Sequence, residues 1–244
     1  MSAHVQHWWI LWIAVLWLAG CTPTQEPITA PTPTVIVLDI TPAARPVVPA
    51  VIACDAALTN LHVNLEERYA PESRSGLLIR LGEPENPSSF LAQIAADELA
   101  VVMHPDNPAT SLTPSEIQAV FSGQVTNWAE YNGSDTSVQV WVPIPVDEIR
   151  IQFDSQVMQG VPIVSDARLA PDPEIMQTVV GSDPGAIGIL PASWQASSLH
   201  RILTGVRLPV LVVSSQPPQG LAAELVACLQ GEIGQQALQE MYSQ

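Results

Sequence analysis

Apolar runs of strand length alternate along the chain with amphipathic stretches of helical length, and this alternation predicts an α/β protein. Residues 35–40 read as a first strand, and a loop from Thr41 to Pro46 leads into a helix over 46–58 with Val47, Val51, Cys54 and Leu58 on its buried stripe. A short strand at 62–67 alternates at Val63 and Leu65. A polar link over 70–76 and a strand at 77–81 follow. Ser88 or Ser89 is placed to cap a short helix running to Ala96, and the apolar run 100–103 makes the next strand.

The sharpest local signal lies between His104 and Gly123. Pro105 and Pro108 push the residues before them out of the helical region. Thr113 then stands as an N-cap, Pro114 at the first helical position, and Glu116 closes a capping box. Ile117, Val120 and Phe121 share one face, and Gly123 is placed to end the helix. Asn127-Trp128 and Asn132-Gly133 make a turn with one aromatic anchor. Beyond it come a strand at 138–142 carrying Trp141, a helix over 147–158 and a helix opening at Asp172-Pro173-Glu174 and running to about Val180. Strands at 186–190 and 208–213 and helices at 221–230 and 233–242 complete the chain.

The N-terminal stretch changes the picture. Residues 8–19, WWILWIAVLWLA, are apolar but too short to cross a bilayer comfortably. They end in Leu18-Ala19-Gly20-Cys21, similar to a bacterial lipobox, which makes Cys21 the expected lipidation site and mature N-terminus. The leader MSAHVQH carries no Lys or Arg, so an uncleaved apolar anchor is the alternative. Residues 1–20 are thus expected to be a signal peptide and 21–34 a Pro/Thr-rich tether unable to form a core. The expected location is outside the cytoplasm, anchored to the cell membrane. The 24 acidic residues face 8 basic ones, all arginine, and a net charge of −16 argues against nucleic acid and anionic membrane surfaces as partners.

Two segments resemble the phosphate-binding proteins of ABC importers, within the type II periplasmic-binding-protein group. They are His104-Pro105-Asp106-Asn107-Pro108 with Phe121-Ser122-Gly123-Gln124-Val125-Thr126-Asn127-Trp128, and Asp183-Pro184-Gly185-Ala186-Ile187-Gly188-Ile189-Leu190, which has isoleucine or leucine where the family has tyrosine. The resemblance implies a two-lobed α/β fold of mixed sheets flanked by helices, with the ligand in the cleft between lobes. Residues 35–98 and 195–244 would form lobe I and 99–194 lobe II. It also implies a non-enzymatic solute-binding protein with a small-molecule solute, a possible ABC permease as partner and no cofactor. The alternative on the same fold is an interaction or sensory module without a ligand.

The family grips its anion with hydroxyls and backbone N–H groups in three loops, and the resemblance carries these over position by position. The first loop holds Thr41, Ala43 and Arg45. Thr41 offers a hydroxyl and Arg45 a charge, although Thr41 can equally be only an N-cap. The second loop, after the strand at 77–81, holds Glu83 and Glu85, which suit exposed turns better than an anion site. The third loop has Asp147, Glu148 and Ile149 where the family places serine, glycine and threonine, followed by Arg150. The acids can cap their own helix, and Arg150 can pair with Asp147 or Asp154. Two carboxylates within about 4–6 Å of a phosphate repel it by roughly 3–4 kcal/mol each at an effective dielectric near 20. A helix N-terminus returns about 0.3–2 kcal/mol. Phosphate binding is therefore expected to be no tighter than about millimolar.

Other chemistry finds little footing. No GxSxG surrounds a serine, the five histidines lack metal-ligand spacing, and the glycines at 181–188 precede a strand, unlike a dinucleotide loop. Cys54 and Cys228 lie on apolar helix faces, either as a disulfide in an oxidising compartment or as two small buried residues.

Overall fold

The computed structural model describes residues 33–69, 76–84, 90–109, 111–194 and 198–242. The expected signal peptide, Cys21 and most of the tether lie outside these residues, as do Glu85, Ser88 and Ser89.

The described elements are strand β1 (Thr34–Ile40), helix α1 (Val48–Ala57), β2 (Leu61–Glu67), β3 (Leu77–Leu81), β4 (Phe90–Met103), α2 (Pro114–Phe121) and β5 (Gln139–Val142). They continue with α3 (Glu148–Gln152), β6 (Arg168–Leu169), α4 (Pro173–Ser182), β7 (Ala186–Pro191), β8 (His200–Ser214), α5 (Leu221–Gln230) and α6 (Glu232–Tyr242). A 3-10 segment at Pro42–Val47 runs into α1, and a π-helical segment at Phe153–Met158 extends α3.

The strands form one mixed sheet in the order β2-β1-β3-β8-β4-β7-β5-β6. β1 is parallel to β2 and β3, while β8 runs antiparallel to β3 and β4. β7 is antiparallel to β4 and parallel to β5. The two long central strands, β4 and β8, tie the halves together. β3 pairs with the end of β8 at Val210–Val213, and β7 pairs with the end of β4 at Leu99–Met103. The β4–β8 register shifts where those stretches begin, at Gln93/Ala95 and again at Glu98/Ala100.

This pairing corrects one sequence expectation. The stretch to Ala96 is not a helix but the first half of β4. Ala92 and Ile94 are buried while Leu91 and Gln93 are exposed, a period of two that only a strand produces. The alanines favour a helix locally, but antiparallel pairing with β8 over most of the strand prevails. β8 likewise begins at His200, well before the apolar run at 208–213, and the two-residue β6 has no apolar signature at all.

The Thr113 signal folds as its chemistry dictates. The Thr113 hydroxyl accepts from the Glu116 N–H at 3.3 Å, and the Glu116 carboxylate accepts from the Thr113 N–H at 2.6 Å. Gly123 ends this turn at φ +75°, a conformation that favours glycine. Trp128 is fully buried and its indole N–H donates to the Gly185 carbonyl at 2.9 Å, tying the tryptophan turn to the start of β7. A side chain at Gly185 would meet the Ser137 carbonyl at 2.3 Å, so this approach requires glycine.

Cys54 and Cys228 form a disulfide, with Cα atoms 5.8 Å apart, linking α1 to α5. That settles the alternative left open by their position on apolar faces. Among the described residues no helix is long and apolar enough to cross a membrane.

Candidate functional site

The end of β1, the end of β3 and the start of α3 meet at one point. β1 and β3 are parallel neighbours, and the Thr41 N–H donates to the Ile79 carbonyl at 3.0 Å, so Thr41 leaves the sheet beside Arg80 and Leu81. All five residues of β3, LLIRL, are buried. Leu77, Ile79 and Leu81 join the main core, which leaves Arg80 on the opposite face with Leu78.

Glu148 occupies the meeting point. One carboxylate oxygen, Oε1, accepts from the Thr41 hydroxyl at 2.6 Å and from the Leu81 N–H at 3.0 Å. The other, Oε2, lies 3.6 Å from Nε of Arg80, an ion pair too long to be a hydrogen bond. Both charged side chains are buried. Burial pushes the Glu148 carboxyl up to about 7, against the Arg80 charge, the Thr41 hydroxyl and the Leu81 N–H, while neighbouring Asp147 adds to the rise.

Asp147 caps α3. Its Oδ1 accepts from the N–H groups of Ile149 at 2.8 Å and Arg150 at 3.4 Å. Burial raises its pKa, opposed by those two N–H groups and by Arg80. The two acids of the third loop therefore separate in role: Asp147 serves its own helix, and Glu148 reaches away to β1 and β3.

Apart from Glu83, the other expected site residues are committed within the protein. Thr41 stands at the N-cap position of the 3-10 segment but makes no side-chain cap bond, since its hydroxyl goes to Glu148. Arg45 donates from Nε and Nη2 to Glu67 at 3.0 and 2.9 Å and from Nη1 to Glu174, and its guanidinium lies 5.3 Å from the Trp194 ring centre. The Ala43 carbonyl accepts from the Trp194 indole N–H at 2.9 Å. Arg150 pairs with Asp154, four residues on, at 2.8 Å. Glu83 is exposed. The structure thus brings Thr41 and Glu148 together and leaves Glu83 and Arg150 out of that contact.

Sequence reasoning missed Arg80, Glu174 and Trp194. For Arg80 a signal existed: it is the one polar residue in an apolar five-residue strand, and a buried cation requires an anion beside it. For Glu174 and Trp194 no local pattern marks the pairing, because their partners lie 129 and 151 residues away.

The cavity bounded by Ala43, Asp147, Asp172 and Pro191 measures about 10 Å³, room for one water at most. Chemically the arrangement holds a carboxylate. Among the described residues no group of three His, Cys, Asp or Glu side chains is placed to hold a metal.

A family model described as the PBP superfamily domain matches residues 86–236. Among solved structures the chain is similar to a candidate phosphate ABC transporter substrate-binding protein from Clostridium perfringens with bound phosphate, at a TM-score of 0.76 and 17% identity over 86% of this chain and 98% of that one. It is also similar to an ABC-type phosphate transport receptor from Vibrio cholerae, with a TM-score of 0.65 and 17% identity over 85% of this chain and 98% of that one. OxyR of Corynebacterium glutamicum, in an H2O2-bound mutant, matches with a TM-score of 0.60 and 13% identity over 86% of this chain and 66% of that one. At these identities the likeness establishes the fold and leaves the ligand to the residues of the site.

Proposed function

The chain belongs to the periplasmic-binding-protein superfamily, with a type II fold, and from that premise we propose that it is a lipid-anchored extracytoplasmic module that uses this fold without holding free phosphate in its cleft. The observation that carries this reading is the Glu148 carboxylate seated on the Thr41 hydroxyl and the Leu81 N–H. The Thr41 hydroxyl, which the family resemblance offers to an anion, already has one. Arg45 is likewise taken by Glu67 and Glu174. The module then acts through its surface, as an interaction or sensory domain. A family of binding proteins and the lack of a nucleophile–base pair in the site support a non-enzymatic role.

A second reading, a solute receptor for an ABC permease, has its own support: the similarity in fold to two proteins whose names assign them to phosphate transport. Calorimetry of the full-length protein in detergent with inorganic phosphate separates the two. The proposed reading expects no binding tighter than about millimolar. Micromolar binding would overturn it in favour of the receptor.

The lipid anchor rests on Leu18-Ala19-Gly20-Cys21, and the disulfide Cys54–Cys228 agrees with an oxidising compartment. Replacing Cys21 by Ala is expected to release the protein to the soluble fraction; retention in the membrane would make the apolar segment itself the anchor. The lobe division at 98/99 and 194/195 is also a proposal, supported by the β4–β8 register shift at Glu98/Ala100, where β4 gains its pairing with β7. On that division Thr41–Glu148, Arg45–Glu174 and Ala43–Trp194 all cross the cleft.

A further inference from the structure

The Glu148 carboxylate does not behave like a locally satisfied side chain. Asp147, next to it, bonds the N–H groups two and three residues on. The partners of Glu148 lie 107 and 67 positions away, at the ends of two different strands. One oxygen accepts hydrogen bonds from a hydroxyl and an amide N–H, and the other faces a buried guanidinium. A hydroxyl, an amide N–H and a guanidinium converging on two oxygens make a seat for a carboxyl group, whatever that group is attached to, and burial there favours its protonated form. An apolar side chain in its place would take from the buried Arg80 the carboxylate that lies 3.6 Å from its Nε, leaving Asp147 as its nearby charge.

We propose that Glu148 is an internal ligand: its carboxylate fills a seat built by Thr41, Leu81 and Arg80 that, once vacated, takes a small free carboxylate such as acetate. This rests on the reading that the cleft holds no free phosphate, and it adds what the cleft recognises instead. Covalent attachment keeps even a weak seat filled, because a tethered group has an effective concentration in the millimolar range or above. A free anion must displace a group that never diffuses away. The contact therefore holds Thr41 against α3 at every solute concentration, and the protein presents one fixed surface where a receptor would switch between two.

Truncation of Glu148 to Ala removes the CH2–COO⁻ end of the side chain, which is the acetate fragment. The experiment uses the full-length chain in detergent as wild type, Glu148→Ala and Glu148→Gln, melted with acetate and with chloride at equal ionic strength. Glu148→Ala is expected to bind acetate, and at about ten times Kd its Tm rises by roughly 3–6 °C. Chloride leaves it unchanged, and the acetate response weakens between pH 5 and 8 as the bound carboxyl group ionises. Wild type and Glu148→Gln, whose seat stays filled, do not respond to acetate. Amide exchange at Leu81 is expected to quicken in Glu148→Ala and to slow again with acetate. If Glu148→Ala does not fold alone, acetate is expected to restore its far-UV circular dichroism where chloride does not. The proposal is overturned if acetate neither stabilises nor restores Glu148→Ala, if chloride does so equally, or if wild type responds to the same degree. Phosphate binding by the wild type, by contrast, would sink the functional reading while leaving the acetate response of the variant as a separate result.

Discussion

The Thr41 hydroxyl donates to Oε1 of Glu148 at 2.6 Å, joining the end of β1 to the first residue of α3 across 107 positions of chain. Neither residue would be placed there by its local role. Thr41 sits at the N-cap position of a 3-10 segment yet caps nothing, and Glu148 opens a helix that Asp147 already caps. Both side chains are turned from local work to a long-range contact, and the buried Arg80 supplies the charge that makes this tolerable.

The same contact makes stability depend on pH. The Glu148 carboxyl is raised from 4.5 to about 7 in the folded protein. Between those values the folded state holds a proton that the unfolded state has lost, so stability falls as pH rises. The contribution is fully present below the unfolded value and lost on passing the folded one, a change of the order of 3 kcal/mol. Asp147 and Asp97, both raised by burial, act in the same direction. Urea unfolding at intervals from pH 4.5 to 8 is expected to show the decline in wild type and a much flatter profile in Glu148→Gln. Equal slopes in the two proteins would assign the decline to other groups.

Arg80→Leu tests the ion pair from the other side. With the guanidinium gone, an ionised Glu148 is a buried charge without a partner, which costs about 3–5 kcal/mol. A carboxyl can escape that cost by taking a proton. The loss is therefore expected to be large at pH 8 and smaller at pH 5, and the variant's decline with pH steeper than that of wild type. Denaturation midpoints at the two pH values measure it; a loss independent of pH would mean that Arg80 contributes packing alone.

How much of this was legible in the sequence depends on the range of the interaction. The helix at Thr113 follows from five adjacent residues and folds with its capping box intact. The Asp147 cap and the Arg150–Asp154 pair are just as local, and both were within reach of pattern reading. The stretch before Ala96 misled because local propensity and the pairing with β8 point in opposite directions, and only the pairing involves residues over a hundred positions away. For Glu148 the sequence placed an acid in the loop but not its direction. Whether it turns to solvent, to its own helix or to Thr41 is decided by where β1 and β3 end relative to α3. A single strand pattern carried one unused clue, the arginine inside LLIRL.

The disulfide should contribute heavily to stability. Cys54 and Cys228 are 174 positions apart, so the bridge closes most of the folded chain into one loop. In the chain-entropy model a loop of that size lowers the unfolded state's entropy by an amount worth about 5 kcal/mol. It also pins α5 to α1. Reduction, or the double replacement Cys54→Ala with Cys228→Ala, is expected to lower the Tm by roughly 10 °C or more. A shift of only a degree or two would show that packing of the two helices holds this region without the bridge.

The last prediction reverses two of the departures of this loop from the pattern that the family resemblance implies. Glu148→Gly vacates the seat, and Asp147→Ser removes the second carboxylate while keeping a residue able to cap α3. Ile149 is left in place because it is buried, and a hydroxyl there would enter the core. Each carboxylate removed relieves up to roughly 3–4 kcal/mol of repulsion on a bound phosphate at an effective dielectric near 20. Part of that is offset by the lost packing. The double variant is expected to bind phosphate at least about tenfold more tightly than wild type, a difference of about 1.4 kcal/mol. The single variants should not contribute equally. Asp147→Ser alone is expected to gain almost nothing, since Glu148 still occupies the Thr41 hydroxyl and the Leu81 N–H. Glu148→Gly alone gains part, because Asp147 remains beside the seat. That asymmetry is the signature of a filled site as opposed to a merely repulsive one. Calorimetry on the four proteins reads it directly. If Asp147→Ser alone matched the double variant, charge near the cleft would be the obstacle and Glu148 would not be sitting in the anion's place.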